Sequence, residues 1–283
     1  MRESHEPANT PPVACVIVGF HRPDLLSRLL STLADPRIEI IVVNMEDDPA
    51  IRQLPGAEVI AVPTNVGYAA GVNLGARKVT ADVMVFMNDD VAVTAADVLA
   101  MGERVWSGSA DVVVPLVENT HGELELAEKP PYRLAARMQL RNHPVPVAPL
   151  AIDAAWAVVV ALRTEVMRSV PMPEDYFLYW EELEWFHGVR NRGLRVELLP
   201  SVRITHFGGL IVERPDKSRL MARNAVRCVR RVRGRGAALR AWPHVVGWQT
   251  RLLLSGLVRR ADRHTVRSHA AGVGAAVKAW REI

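Results

Sequence analysis

Residues 83–87 form an unbroken apolar run (Val83, Met84, Val85, Phe86, Met87) that stops at three polar residues, Asn88, Asp89 and Asp90. A continuous rather than alternating run fits a strand covered on both faces, as in a parallel sheet. Runs of the same kind occupy 13–18, 38–43 and 152–160, with shorter strands expected at 58–62 and 195–199. Between them Leu25, Leu26, Leu29, Leu30 and Leu33 recur at helical spacing, and helices are expected over 69–79 and 183–191, the latter stopping at Gly193. A further helix start stands at Thr94 and Asp97. Strands and helices in this order, with polar or glycine-rich loops after the strands, predict an α/β domain with a mainly parallel sheet and flanking helices. Ligands of such sheets bind beyond the carboxyl ends of the strands, which is where Asp89 and Asp90 would stand. Two adjacent carboxylates repel each other. A hard divalent cation such as Mg2+ or Mn2+, itself carrying diphosphate oxygens, would relieve that repulsion. The bland alternative is a solvated turn, for which Asn and Asp are ordinary residues.

Composition narrows the class. A chain of 283 residues with 49% hydrophobic content makes one large or two small domains and has ample apolar material for a core. Cys15 and Cys228 are far apart and Cys15 lies in a strand pattern, so no disulfide framework is expected and a reducing cytoplasm is the default. Residues 1–12 carry no apolar signal region and read as a loose tail, and no apolar run reaches the roughly 18 residues of a spanning helix. The net charge of +4 hides an asymmetry: 17 basic against 4 acidic residues from 212 onward, and 18 against 27 before it. The Gly-x-Gly-x-x-Gly and Walker fingerprints are both missing, which removes the dinucleotide and P-loop readings.

Further candidates follow along the chain. The stretch 65–73 mixes small residues with Asn65 and Asn73, which suits close backbone approach to a ligand or, equally, a capped helix start. The segment 118–149, rich in Pro, His and charge, reads as a loop excursion over the sheet that gates the site. Trp156 falls in the 152–160 run and is either core or site. Glu181, Glu182 and Glu184 interleave with Tyr179, Trp180 and Trp185 at a helix N-terminus. The helix dipole alone accounts for acids there. The functional reading is a carboxylate partly desolvated beside Trp180, with raised pKa, working as a general base. His206 precedes two glycines, a context for a metal or phosphate ligand or for a plain structural histidine.

Taken together and in this order, these stretches resemble the inverting nucleotide-sugar transferases of glycosyltransferase family 2, with the GT-A fold, and within it the rhamnosyltransferase-like branch. The resemblance covers about 13–210 and extends faintly into the tail. It implies a catalytic domain over 13–212, with a nucleotide-sugar half (13–110) and an acceptor half (111–212), followed by a basic helical region (213–283). It also implies donor contacts from the loop around Phe20, from Asn44 (where the family has a base-reading Asp), from Asn65, Gly71 and Asn73, and from Asn88 and Asp89. Asp90 and His206 are implied as ligands of a divalent metal, Mn2+ or Mg2+. The family's base is the Asp of a Glu-Asp pair. The matching residue is Glu182, one methylene longer, with Glu181 as the second candidate. Asp153, Trp156 and Trp180 fall on the acceptor side. The donor implied is a dTDP- or UDP-sugar, dTDP-rhamnose among them. The acceptor is a hydroxyl of a glycan, a lipid-linked sugar or a natural product. The alternative from another class is a catalytically degenerate binding protein that keeps the nucleotide-sugar cleft without turnover.

The basic tail has its own alternatives. Residues 217–233 form a basic amphipathic helix, and Trp242, Trp248, Leu252 and Leu257 follow among further arginines. This fits an in-plane contact with an anionic membrane at the inner face, a helical subdomain docked on the sheet, or a homodimer contact. Nucleic acid is not expected, because no recognisable module with interleaved exposed aromatics accompanies the arginines.

Overall fold

The computed structural model describes residues 12–125, 145–208 and 214–283. The expected tail, apart from residue 12, and most of the charged 118–149 segment lie outside the described residues. Four strands, β1 (Val13–Gly19), β2 (Ile38–Met45), β3 (Glu58–Val62) and β4 (Val83–Asn88), pair in parallel in the order β3-β2-β1-β4. Between them run α1 (Pro23–Thr32), the short α2 (Pro49–Arg52) and α3 (Tyr68–Ala76). After β4 come β5 (Val91–Ala92) and α4 (Ala95–Trp106), the latter opened by a capping box between Thr94 and Asp97. The sheet is completed by β6 (Val112–Asn119), β7 (Leu150–Ala151), β8 (Val159–Arg163) and β9 (Val196–His206). β8 is antiparallel to both β4 and β6, whereas β6 and β9 are parallel.

The apolar run of β4 is continuous because both faces are covered. Met84 and Phe86 enter one core with Trp185 and Phe186. Val83, Val85 and Met87 enter the opposite core with Val98, Met101 and Val105. Of the leucines at helical spacing, Leu26, Leu29 and Leu30 of α1 and Leu33 just after it are buried, and Leu25 is half-buried. The run at 152–160 corrects the sequence reading. Strand pairing begins only at Val159, and the residues before it enter irregularly. Ala154, Ala155, Ala157 and Val158 are apolar because they pack into the core, not because they extend in a strand.

The remaining helices are α5 (Thr164–Ser169), α6 (Glu181–Asn191), α7 (Arg214–Arg233), α8 (Arg235–Val258) and α9 (Arg263–Lys278). The last three form a third core, with Ala222, Ala225, Val226 and Val229 of α7 against Ala238, Ala241, Val245 and Ala276. Tyr176 and Trp180 belong to this same core, so the apolar stripe of α7 faces protein. At the end of α8, Leu254, Leu257 and Val258 remain exposed beside Arg251, Arg259 and Arg260. Among the described residues no helix is long and apolar enough to cross a membrane.

Candidate active site

A cleft of about 1840 Å³ opens at the carboxyl ends of β1 and β4. It is lined by Val18, Phe20, Met45, Asn65 and Tyr68 and, directly after β4, by Asn88, Asp89 and Asp90. Trp156, Glu181, Glu182 and His206 line it as well. The break after Asn88 sets the two aspartates there: the Asn88 amide still donates to Val158 O at 3.0 Å, then the chain turns so that β5 pairs with the end of β9 instead. That pairing sets Val91 opposite His206, and the Phe207 amide donates to Asp90 O at 2.8 Å. His206 Nε2 therefore lies 3.4 Å from Asp90 Oδ1, while its Nδ1 lies 2.6 Å from Glu125 Oε2.

Asp89 and Asp90 are almost fully enclosed, at 2% and 3% exposure. Asp89 Oδ2 accepts the Phe20 amide at 2.8 Å. Burial still dominates and, with the charge of Asp90 adding to it, holds the Asp89 carboxyl up at about 7. Burial by itself would lower the His206 imidazole, but hydrogen bonding and charge from Asp90 and Glu125 outweigh it and lift it to about 9. Among the described residues the buried Asp90 Oδ1 has no hydrogen bond closer than its long 3.4 Å approach to His206 Nε2.

Those features fit a divalent cation. Among the described residues no group of three or more His, Cys, Asp or Glu side chains forms a cage. The donor set is instead a hard carboxylate oxygen with an unmet lone pair and an imidazole nitrogen beside it. Such a half-set is what Mg2+ or Mn2+ uses when phosphate oxygens and water complete the shell.

Glu181 and Glu182 line the same cleft, at 4% and 5% exposure, each with an Oε2 lacking a hydrogen-bond partner among the described residues. They begin α6, whose N-cap is Trp180. Burial raises both carboxyls, Glu181 further through the charge of Glu182, and Glu182 to about 7, with its own backbone amide and that of Trp180 pulling the other way. The Tyr68 phenol, raised first by burial, is raised further by Glu181, Glu182, Asp90 and Asp89. All four carboxylates are thus within electrostatic reach of one ring. Its hydroxyl donates to Ala157 O at 2.9 Å.

A strained loop presents the glutamate pair. Phe177, Tyr179 and Trp180 all have positive φ (67°, 68° and 79°), a region non-glycine residues avoid at a cost of about 1–3 kcal/mol each. Asn224 of α7, fully buried, holds the loop: its Nδ2 donates to Tyr176 O, Leu178 O and Tyr179 O at 3.1, 2.9 and 3.1 Å. The donor-side loop is keyed to the same segment. The Tyr68 amide donates to Phe177 O at 2.9 Å, and Gly67 has φ +90° with space for a Cβ only 2.3 Å from that oxygen. Asn224→Ala would leave three carbonyls unmet. We expect a loss of about 2 kcal/mol in unfolding free energy and faster amide exchange at 176–182. Unchanged stability and exchange would contradict the clamp.

Burial of Glu181 and Glu182 also carries a stability cost with a definite sign. A carboxyl whose folded pKa is raised holds a proton that the unfolded chain releases. Its contribution is fully present below the ordinary value of 4.5 and is lost as pH rises through about 7. The melting temperature of the metal-free protein should fall between pH 5 and pH 8, roughly the span of that shift, and Glu182→Gln should flatten part of the fall. A Gln variant that tracks the native protein across this range would refute it.

The sequence-based site divides in two. Phe20, Asn65, Asn88, Asp89, Asp90, Trp156, Glu181, Glu182 and His206 meet at the cleft. Five residues do not line it. Asn44 is wholly buried, and its amide exchanges hydrogen bonds of 2.9 and 3.0 Å with the backbone of Asp48. Asn73 braces Met172 and Glu174. Gly71 allows close packing of α3, where a Cβ would come 2.4 Å from Met45 Cε. Asp153 pairs with Arg190 at 2.7 Å. Trp180 is buried in the third core. Tyr68, Glu125 and Asn224 were not singled out in the sequence. Asn224 had a signal, a lone amide within the apolar stripe of a basic helix.

Residues 15–151 match the family model described as Glycosyl transferase family 2. No curated protein matches the chain in sequence. GalNAc-T7, solved with UDP, GalNAc and Mn2+, aligns with TM-score 0.62 at 15% identity over 86% of this chain and 52% of that one, so the chain spans about half the length of that structure. The mannosyltransferase PcManGT from Pyrobaculum calidifontis, in complex with GDP-Man and Mn2+, aligns with TM-score 0.56 at 14% identity over 95% and 86%. At these identities the likeness is one of fold, the GT-A α/β architecture.

Proposed function

We propose that this chain, with its glycosyl transferase family 2 match over 15–151 and its GT-A fold, transfers a sugar from a nucleotide-diphosphate donor to an acceptor hydroxyl with inversion. One observation carries the reading: two pairs of buried carboxylates, Asp89 with Asp90 and Glu181 with Glu182, line the same cleft at the carboxyl ends of parallel strands. Such an arrangement raises the free energy of the empty protein and suits a ligand that brings positive charge to one pair and a proton to the other.

In this reading the donor's nucleotide and sugar rest on Phe20, Asn65 and Asn88, which line the cleft, with Asp89 fixed beside them by the Phe20 amide. Asp90 and His206 would hold a divalent cation, which when bound supplies positive charge to the leaving diphosphate. Glu125 orients His206 through Nδ1 and so leaves Nε2 toward Asp90. Glu182 removes the proton of the acceptor hydroxyl as that oxygen bonds to the anomeric carbon. The bond from that carbon to the diphosphate oxygen breaks in the same step, and the nucleoside diphosphate leaves with the electron pair. The raised Glu182 pKa makes it a stronger base than an ordinary carboxylate once deprotonated.

Melting curves with UDP, dTDP, GDP and CMP, each with Mn2+, Mg2+ or chelator, test the donor cleft. A ligand at about 100 times its Kd adds roughly 2.7 kcal/mol. The reading expects a metal-dependent rise with at least one nucleoside diphosphate, and that nucleotide identifies the base. No rise with any of them contradicts it. GT-A neighbours solved with UDP or GDP-Man and Mn2+ support including both purine and pyrimidine arms.

A further inference from the structure

The basic helix that the sequence offers to a membrane, α7, turns its apolar stripe inward. Exposed apolar residues collect instead at the end of α8, where Leu254, Leu257 and Val258 are 56%, 52% and 83% exposed. Spaced three and four apart, they stand on one face of the helix. Val245, Gln249 and Gly256 fall on the opposite face and are buried against the bundle. A single exposed leucine needs no explanation. Three large apolar side chains together on one face, rimmed by charge, mark a surface that meets a partner.

The rim is cationic. Arg251 lies three residues before Leu254 on the same side of α8, and Arg259, Arg260 and Arg263 follow in the turn and at the start of α9, all of them exposed. From Val245 to Ala270 the sequence holds five arginines against one acid, Asp262. That acid caps α9, where its carboxylate accepts the Thr265 amide at 2.9 Å and the Thr265 hydroxyl at 2.7 Å. Arg260 ends α8 in the left-handed region, at φ 51°, with the next amide, that of Ala261, donating to Gly256 O at 2.8 Å. Glycine is the usual residue at such a helix end, so the chain keeps a charged side chain where the backbone does not favour one. The helix dipole accounts for cations in a last turn. It does not account for Arg251, two turns further back, or for the leucines between.

Apolar side chains within a ring of arginines match the boundary of an anionic bilayer. The leucines and the valine enter the edge of the acyl region, and the guanidiniums stay among the phosphates on their long apolar stems. A nucleic acid would meet the arginines and leave the leucines in water. A two-fold pairing with a second copy would set two cationic rims face to face, which like-charge repulsion opposes.

We propose that the tip between α8 and α9, with Leu254, Leu257 and Val258 inside their arginine rim, inserts shallowly into an anionic lipid surface and holds the protein there from one side. The contact does not depend on what the cleft transfers.

Co-sedimentation of the full chain with vesicles tests this. Vesicles of phosphatidylcholine with a third phosphatidylglycerol should bind the protein, and phosphatidylcholine alone should bind it roughly tenfold more weakly or less. Raising the salt from about 0.1 M to about 1 M, which shortens the screening length from about 10 Å to about 3 Å, should weaken the anionic arm. Leu254→Gln, Leu257→Gln and Val258→Gln together should reduce binding roughly tenfold or more with the melting temperature kept, since these side chains point away from the bundle. Arg251→Gln with Arg259→Gln and Arg263→Gln should erase the preference for anionic vesicles, whereas Arg235→Gln with Arg240→Gln, at the other end of α8, should not. A polarity-sensitive dye on Val258→Cys, which buried Cys15 and Cys228 leave as the accessible thiol, should shift its emission to shorter wavelength on anionic vesicles. Lack of vesicle binding, binding that the apolar triple variant retains, or a dye that stays in water would each overturn the proposal. Concentration-dependent dimerisation that the triple variant loses, without vesicle binding, would overturn it in favour of a second copy of the chain.

Discussion

Glu182→Gln will retain metal-dependent nucleotide binding and lose sugar transfer by a factor of roughly 10²–10⁴, the usual contribution of a positioned general base. The substitution keeps shape and removes only the proton-accepting oxygen. Glu182 is 5% exposed with one oxygen unpartnered among the described residues, so the amide adds no lost hydrogen bond to the native state. The native enzyme should also show kcat/KM rising with pH through about 7 as Glu182 deprotonates, since the base works only when ionised. If Glu182→Gln turns over normally and Glu181→Gln does not, the base is Glu181, whose carboxyl is raised as well. If both retain turnover, the glutamate pair has no catalytic role.

Asp90→Ala will abolish the part of nucleoside-diphosphate affinity that depends on Mn2+ or Mg2+. Asp90 is 3% exposed, has an oxygen without a good hydrogen bond among the described residues, and sits 3.4 Å from His206 Nε2. Removing it takes away the carboxylate oxygen that faces His206 Nε2, and an imidazole is a poor partner for a hard cation without it. Calorimetric titration with and without chelator should show the native difference between the two conditions vanish in the variant. Full metal-dependent affinity in Asp90→Ala would overturn the assignment.

The strand framework and the acids that follow β4 were legible because both follow from local pattern. An apolar run ending in acids places those acids at the carboxyl edge of a sheet once the neighbouring strands are parallel, as Asp89 and Asp90 illustrate. Glu181 and Glu182 were legible as a helix start beside aromatics. Asn44 and Asn73 were not separable from ligand contacts by sequence, because an amide that braces a loop looks the same as one that faces a ligand. The hold of Asn224 on the 176–179 loop spans more than 40 residues of chain. The contact of Glu125 with His206 spans 81. Neither leaves a periodic trace near the residue it positions. Trp156 was placed in a strand because its neighbours Ala154, Ala155, Ala157 and Val158 are buried without strand pairing, which also produces an apolar run.

The most direct test of the account is nucleoside-diphosphate release from a panel of UDP-, dTDP- and GDP-sugars, with Mn2+, by the native protein and by Glu182→Gln. The account predicts release from one donor class by the native protein, accelerated by a hydroxyl acceptor and absent in the variant. Tight nucleotide-sugar binding with no release under any acceptor or metal would contradict it and leave a binding protein on a transferase fold.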